Sequence, residues 1–213
     1  DGALTEMSHD YAGNRLTVTT AKRKSRYGYD RNGNQVSFTE PVPVGGVAAD
    51  YTHSRAFDDV NRVTSETPAR RDLTDAERGA LWIGPKTYHY DLAHPSVDTT
   101  TDAALYQVGQ LSYTSAPNQT VTYAYDRFAG LKQQRQALSN LPGAAGDTLV
   151  ATAGRSPAGH LETLAYSAVN GSATTFTGRT VNYFYDRDGL TGGVSFPIAA
   201  GKTMHIVNDR DDS

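Results

Sequence analysis

Apolar and polar positions alternate with a period of two through most of this chain. Tyr27-Gly28-Tyr29, Tyr88-His89-Tyr90, Tyr123-Ala124-Tyr125 and Tyr183-Phe184-Tyr185 each set two aromatic rings two residues apart. Residues so spaced share one face of an extended strand. Each run stops at an aspartate: Asp30, Asp91, Asp126 and Asp186. Less complete copies stop at Asp10 after His9, at Asp58 after Phe57 and, with the carboxylate replaced by a hydroxyl, at Ser156 after Arg155. Three residues on comes a turn former, Gly13, Gly33, Asn61, Gly159 or Gly189. After Asp126 the glycine stands one place later, at Gly130, and Asp91 is followed by His94-Pro95. A second alternating run then begins, as in Asn34-Gln35-Val36-Ser37 or Arg62-Val63-Thr64-Ser65.

The pattern has a mechanical reading. Aspartate opens a turn by accepting a backbone hydrogen bond from two residues ahead. The residue three places on often needs a positive φ, which Gly and Asn tolerate best. Each unit is therefore expected to be a β-hairpin with a tight polar tip, with Gly33 and Gly189 at positive φ. The capping aspartates fall at 10, 30, 58, 91, 126 and 186, with Ser156 as the weak copy. Such uneven gaps suit a meandering antiparallel sheet with loops of differing length better than a rigid solenoid. Two stretches break the pattern. Thr74 and Glu77 form a capping box ahead of Ala80-Leu81-Trp82, so a short helical insertion is expected over 74–82. The Gly/Ala/Pro-rich stretch 139–158 reads as a loop or a weak strand.

The motif resembles the YD or Rhs repeat, approximately Y-x-Y-D-x-x-G-R-L-T, and the resemblance runs from about residue 5 to residue 196. Asp10-Tyr11-Ala12-Gly13-Asn14-Arg15 is a particularly near copy. The resemblance implies an all-β domain over 1–213 whose hairpins form part of a spiralling β-shell or an open barrel. It implies a structural scaffold, secreted or at the cell surface, in a wall that encloses a C-terminal toxin or effector domain. It also implies partners at the sheet edges: the rest of a longer parent polypeptide, or copies of this chain. Two departures stand out. A closed shell of this family needs far more strands than 213 residues supply, and Asp186-Arg187-Asp188-Gly189-Leu190 only partly echoes the Asp-Pro-x-Gly-Leu ending of Rhs cores. With Asp1 in place of an initiator Met, the expectation is a processed product or an internal piece.

Composition narrows the function. Hydrophobic residues make up 38%, but 13 Tyr and 25 Thr are strand formers suited to a sheet wet on at least one face. A net charge of −3 without a basic stripe argues against nucleic-acid binding. No apolar run approaches the length of a membrane-spanning helix. The absence of cysteine removes disulfides, thiolate metal sites and Cys nucleophiles.

The remaining candidate chemistry has plainer accounts. Asp30-Arg31-Asn32-Gly33 and Asp186-Arg187-Asp188-Gly189 faintly suggest calcium loops, but the twelfth positions are Pro41 and Pro197, where an EF-hand needs Glu. His89 and His94 lack the convergent partners that zinc requires. No G-x-S-x-G elbow, Walker loop or Rossmann fingerprint occurs. The expectation is a protein without catalytic activity, cofactor or metal. In it, Tyr27, Tyr29, Tyr88, Tyr90, Tyr123, Tyr125, Tyr183 and Tyr185 pack between strands, and Asp30, Asp58, Asp91, Asp126 and Asp186 open turns. The alternative is an extracellular adhesion or carbohydrate-binding module, with the paired tyrosines as a platform for cell-surface glycans.

Overall fold

In the computed structural model the described residues are 4–21, 23–71, 73–80, 84–92, 106–139, 147–170, 173–185, 191–199 and 202–207. They form fifteen antiparallel strands, one short α-helix and one 3-10 turn. The chain divides into two compact units, residues 1–88 with 115–117, and residues 89–114 with 118–213.

The first unit carries β1 (Thr5–His9), β2 (Arg15–Thr20), β3 (Arg23–Tyr29), β4 (Gln35–Thr39), β5 (Thr52–Phe57) and β6 (Val63–Thr67), with most of β7 (Lys86–Tyr90). Its strands lie in chain order, each hydrogen-bonded to its sequence neighbours. Register separates the two faces. On one, Tyr27, Phe38 and His53 stand directly opposite one another on three successive strands, with ring centroids 5.2 Å and 5.8 Å apart. On the other, mostly hydroxyl side chains run across the strands: Ser8, Thr17, Thr39 and Thr52 form one row, interrupted by Arg26, and Ser37, Ser54 and Thr67 the next, beginning at Gly28. Cross-strand pairs of this kind, stacked rings on one face and hydroxyl pairs on the other, are the unit of stability in a single sheet layer. The 3-10 turn (Ala48–Tyr51) buries Tyr51 beside the sheet.

The helix α1 spans Asp75–Ala80, and residues 81–83 lie outside the described residues. Its start is a capping box. The Thr74 backbone N–H donates to Glu77 Oε2 at 2.8 Å, and the Glu77 N–H donates to Thr74 Oγ1 at 3.3 Å.

The second unit carries most of β8 (Leu111–Ala116), then β9 (Gln119–Tyr125), β10 (Leu131–Leu138), β11 (Asp147–Arg155), β12 (Leu161–Asn170), β13 (Ala173–Tyr185), β14 (Thr191–Ala199) and β15 (Lys202–Val207). From β9 onward each strand pairs antiparallel with the next. Of the stretch 139–158, read as a loop or a weak strand, residues 147–155 form a nine-residue strand paired along both edges, and 140–146 lie outside the described residues. Gly and Ala are poor strand formers. However, Thr148, Val150 and Thr152 alternate with Leu149, Ala151 and Ala153, and two complete ladders supply the hydrogen bonds that propensity does not.

Few side chains are buried: among the described residues the buried apolar ones are Tyr51, Ala69, Val121, Ala124, Val150 and Ala168. β1 and β15 are exposed along their whole length and each pairs with one strand, β2 and β14 respectively. No helix among the described residues is long and apolar enough to cross a membrane.

Candidate functional site: the aspartate-capped turns

Among the described residues, the hairpins β1–β2, β3–β4, β5–β6, β9–β10 and β11–β12 each turn at a motif position. In the first unit these turns are built to one plan. The Asp30 backbone N–H donates to the Asn34 carbonyl at 3.0 Å, and the Gly33 N–H donates to the Asp30 carbonyl at 3.2 Å. Asp30 Oδ1 accepts the backbone N–H groups of Asn32 and Asn34, both at 2.9 Å, while Oδ2 accepts the Asn34 side-chain amide at 3.0 Å. The Asp10 turn repeats this with Ala12 and Asn14. The Asp58 turn repeats it with Val60 and Arg62, whose guanidinium Nε lies 2.7 Å from Oδ2. One carboxylate thus satisfies backbone donors that a reversing chain would otherwise leave unpaired.

These hydrogen bonds favour the charged form. The Asn14 side chain, followed by backbone N–H groups, holds the Asp10 carboxyl below its usual range. Asn34 does the same for Asp30, and the Arg62 backbone N–H followed by its guanidinium does so for Asp58. Gly13 and Gly33 take φ values of +87° and +83°, and Asn61 takes +64°. Asn61 also ties two tips together, because its Oδ1 accepts the side-chain amides of Asn32 at 3.0 Å and Asn34 at 2.7 Å.

The second unit reaches the same turn by other means. At Asp126 the left-handed residue is Ala129, with φ +58°, and its N–H donates to the Asp126 carbonyl at 3.0 Å. The turn has therefore not slipped to Gly130, as the position of the glycine suggests. Gly130 is instead the residue whose N–H reaches Asp126 Oδ1 at 3.0 Å, and it has no side chain with which to engage Oδ2. Arg155, from the end of β11, takes that place. Its Nε lies 2.9 Å from Asp126 Oδ2, and a Cβ on Gly130 would sit 2.7 Å from that nitrogen. This is an ion pair rather than a directed hydrogen bond, since the buried Nε–H finds no aligned acceptor.

At Ser156 one hydroxyl replaces the carboxylate and accepts the His160 N–H at 3.1 Å, while Gly159 takes φ +90°. At Asp91 the turn is split by an insertion. The Asp91 N–H donates to the Gln110 carbonyl at 3.1 Å, and Oδ1 accepts the Gly109 N–H at 2.7 Å. Asp91 itself has φ +70°. His94, Asp186 and Gly189 lie outside the described residues.

The motif tyrosines are tied into the sheet. Tyr27 packs against Phe38 with the rings tilted by 34°, and the Arg15 guanidinium lies 5.7 Å from the centre of the tyrosine ring. The Tyr88 hydroxyl donates to Glu66 Oε2 at 2.6 Å. Tyr125 and Tyr185 donate to the carbonyls of Leu111 and Leu161 at 2.8 Å and 2.7 Å, each carbonyl on the first residue of a strand. Tyr123 contributes its backbone carbonyl as the acceptor for buried Gln107 at 3.0 Å. Tyr183 pairs with Val194, and Tyr29 with Gln35. Tyr90 closes β7 immediately before Asp91.

Arg155 and the Gly109-Gln110 pair were not identifiable from the motif. A signal for the first existed: Gly130 stands where the three copies of the first unit have Asn14, Asn34 and Arg62, which leaves Asp126 without a local side-chain donor.

No family model matches this chain, and no curated protein matches it. Several solved structures share its fold, among them two at TM-scores above 0.5. These two are crystal structures of TcdB2-TccC3-TEV and of TcdB2-TccC3, with TM-scores of 0.58 and 0.54 and sequence identities of 12% and 10%. The alignments cover 95% and 97% of this chain but only 9% and 11% of those chains. At such identity the likeness is one of fold.

Two histidines are held by neighbouring side chains. His53 Nε2 lies 2.7 Å from Glu40 Oε1, and Nδ1 accepts the Ala69 N–H at 3.4 Å, so both ring nitrogens are engaged. His89 stacks on Tyr113 at 4.0 Å, with the rings 7° from parallel. Among the described residues no three His, Asp or Glu side chains converge as metal ligands.

Proposed function

We propose that this chain is a YD/Rhs-repeat segment that serves as wall in a larger β-shell and does no chemistry of its own. The observation that carries the reading is the turn construction that recurs at Asp10, Asp30, Asp58, Asp126 and Ser156, on a fold whose neighbours are TcdB2-TccC3 chains. Side chains that could have been reactive are spent on turns, ladders and ion pairs. The exposed strands β1 and β15 present backbone groups for further strands, and the natural partner is more of the same sheet, from a longer polypeptide or a second copy. In this reading the wall belongs to a secreted or cell-surface assembly and encloses a toxin or effector domain. The bound tyrosine hydroxyls weigh against a glycan platform, which would leave its rings and polar tips free for a ligand.

Protease protection tests the proposal. In the longer polypeptide that contains this chain, a domain following the repeats should resist cleavage while the assembly is intact and be cut at once after denaturation. Equal cleavage rates in the two states would overturn the shell reading.

A further inference from the structure

We propose that the first unit holds a binding site for a carboxylate group, centred on Arg78. This proposal does not depend on the scaffold reading. Arg78 is 9% exposed, and its guanidinium makes no ion pair or hydrogen bond among the described residues. An arginine so enclosed usually has an anionic partner; the Arg78 guanidinium instead meets solvent through the cavity that it lines. The acidic residue next to it, Glu77, is committed to Thr74 through both the backbone N–H and the hydroxyl.

Arg78 lines a cavity of about 650 Å³. Ser54 and Thr67, directly opposite one another on β5 and β6, bring two hydroxyls from the polar face of the sheet to its wall. Arg70 stands at the same cavity and is tethered to Asp50, Nε to Oδ1 4.0 Å. The rest of the wall is largely apolar and includes Pro68, Pro85 and Pro117.

This donor set selects the ligand. A guanidinium offers a planar fork that matches a carboxylate with two parallel hydrogen bonds, and the hydroxyls can donate to the same oxygens. Phosphate sites typically add a nest of backbone N–H groups, and proline has none to give. The proline walls favour an apolar body behind the acidic head. The ligand class is therefore a carboxylate on an apolar or ring-sized frame, either a free small acid or the acidic side chain of a docking segment.

The test is calorimetric titration of the 213-residue chain with sodium benzoate at constant ionic strength. The expected result is saturable one-site binding. Arg78→Gln should weaken it by at least about tenfold, the loss of a charge-assisted pair. Arg78→Lys, which keeps the charge but not the fork, should weaken it by a smaller factor. Arg55→Gln, on the opposite face, should leave it unchanged. Should Arg78→Gln fail to fold, the Lys variant carries the test: benzoate should raise the melting temperature of the native chain more than that of Arg78→Lys. Absence of saturable binding, equal responses of the native and Arg78 variants, or inorganic phosphate binding as tightly as benzoate would each overturn the assignment. If binding is seen, competition by an Asp/Glu-containing peptide distinguishes a docking segment from a free acid.

Discussion

The Asp30 and Asp126 turns reach one backbone shape by two routes. At Asp30 every partner of the carboxylate lies within four residues, and the left-handed position holds glycine. At Asp126 the left-handed position holds alanine, and the partner of Oδ2 comes from Arg155, 29 residues away on the following hairpin. A local clamp lets a hairpin form by itself. A borrowed clamp makes one hairpin depend on the next. The second arrangement exchanges independence for cohesion between neighbouring tips, and the Arg127 side chain adds a contact to the Pro157 carbonyl at 3.4 Å.

The strongest way to break the contrast is Asp126→Ala. It removes an acceptor from two backbone N–H groups and leaves Arg155, whose side chain is 25% exposed, without its counter-charge. Loss of one member of a largely buried pair costs about 3 kcal/mol. Urea unfolding should show that loss, and hydrogen exchange should quicken in both the β9–β10 and β11–β12 hairpins. Asp30→Ala should produce a smaller loss confined to β3–β4. Equal, local effects of the two substitutions would remove the distinction drawn here.

The left-handed positions allow a reciprocal pair of substitutions. Gly33→Ala places a side chain at φ +83° and should destabilise by about 1 kcal/mol, although the added Cβ would meet nothing within 4 Å. Ala129→Gly relieves φ +58° and should stabilise by up to about 1 kcal/mol. Both can be read as shifts in the urea midpoint at constant slope.

Acid should sharpen the comparison further. The carboxyls of Asp10, Asp30 and Asp58 are held below their usual range by hydrogen bonds, and Glu40 and Glu66 are likewise lowered, by Arg71 and by Tyr88 respectively as the largest causes. A carboxyl with a depressed folded-state pKa contributes its stability in full above the unfolded value, and that contribution is lost as pH falls through the folded value. The first unit should therefore weaken progressively below about pH 4. Asp30→Asn should flatten that dependence, as followed by melting temperature against pH. The smallest effect is expected at Ser156. Ser156→Asp supplies a carboxylate whose Oδ1 can accept the Ala158 N–H as well as that of His160, and should stabilise β11–β12 by a few tenths of a kcal/mol to about 1 kcal/mol.

Much of this architecture is legible in the chain because it is local. Tyr-x-Tyr-Asp followed by Gly or Asn defines a strand, a turn and the face on which the rings fall within a dozen residues, and the Thr74–Glu77 capping box is equally short-range. Where the sequence misleads or leaves a choice open, the deciding partner is distant. The Gly/Ala/Pro-rich stretch 139–158 leaves loop and weak strand undivided, and β10 and β12 decide it for 147–155 by bonding both edges. Gly130 looks like a displaced turn glycine, but the approach of Arg155 is what requires it to lack a side chain. Asp91 finds its turn donors at Gly109 and Gln110, beyond an insertion that no short motif can bridge. Arg78 reads as an ordinary helix residue until the walls of its cavity are brought around it. By itself, then, the sequence determined the all-β hairpin repeat and the aspartate turns, because hydrogen bonds over two to four residues depend on backbone geometry alone. Only the tertiary structure decided which donor completes each turn and which charges are buried, because those depend on what neighbouring hairpins bring within reach.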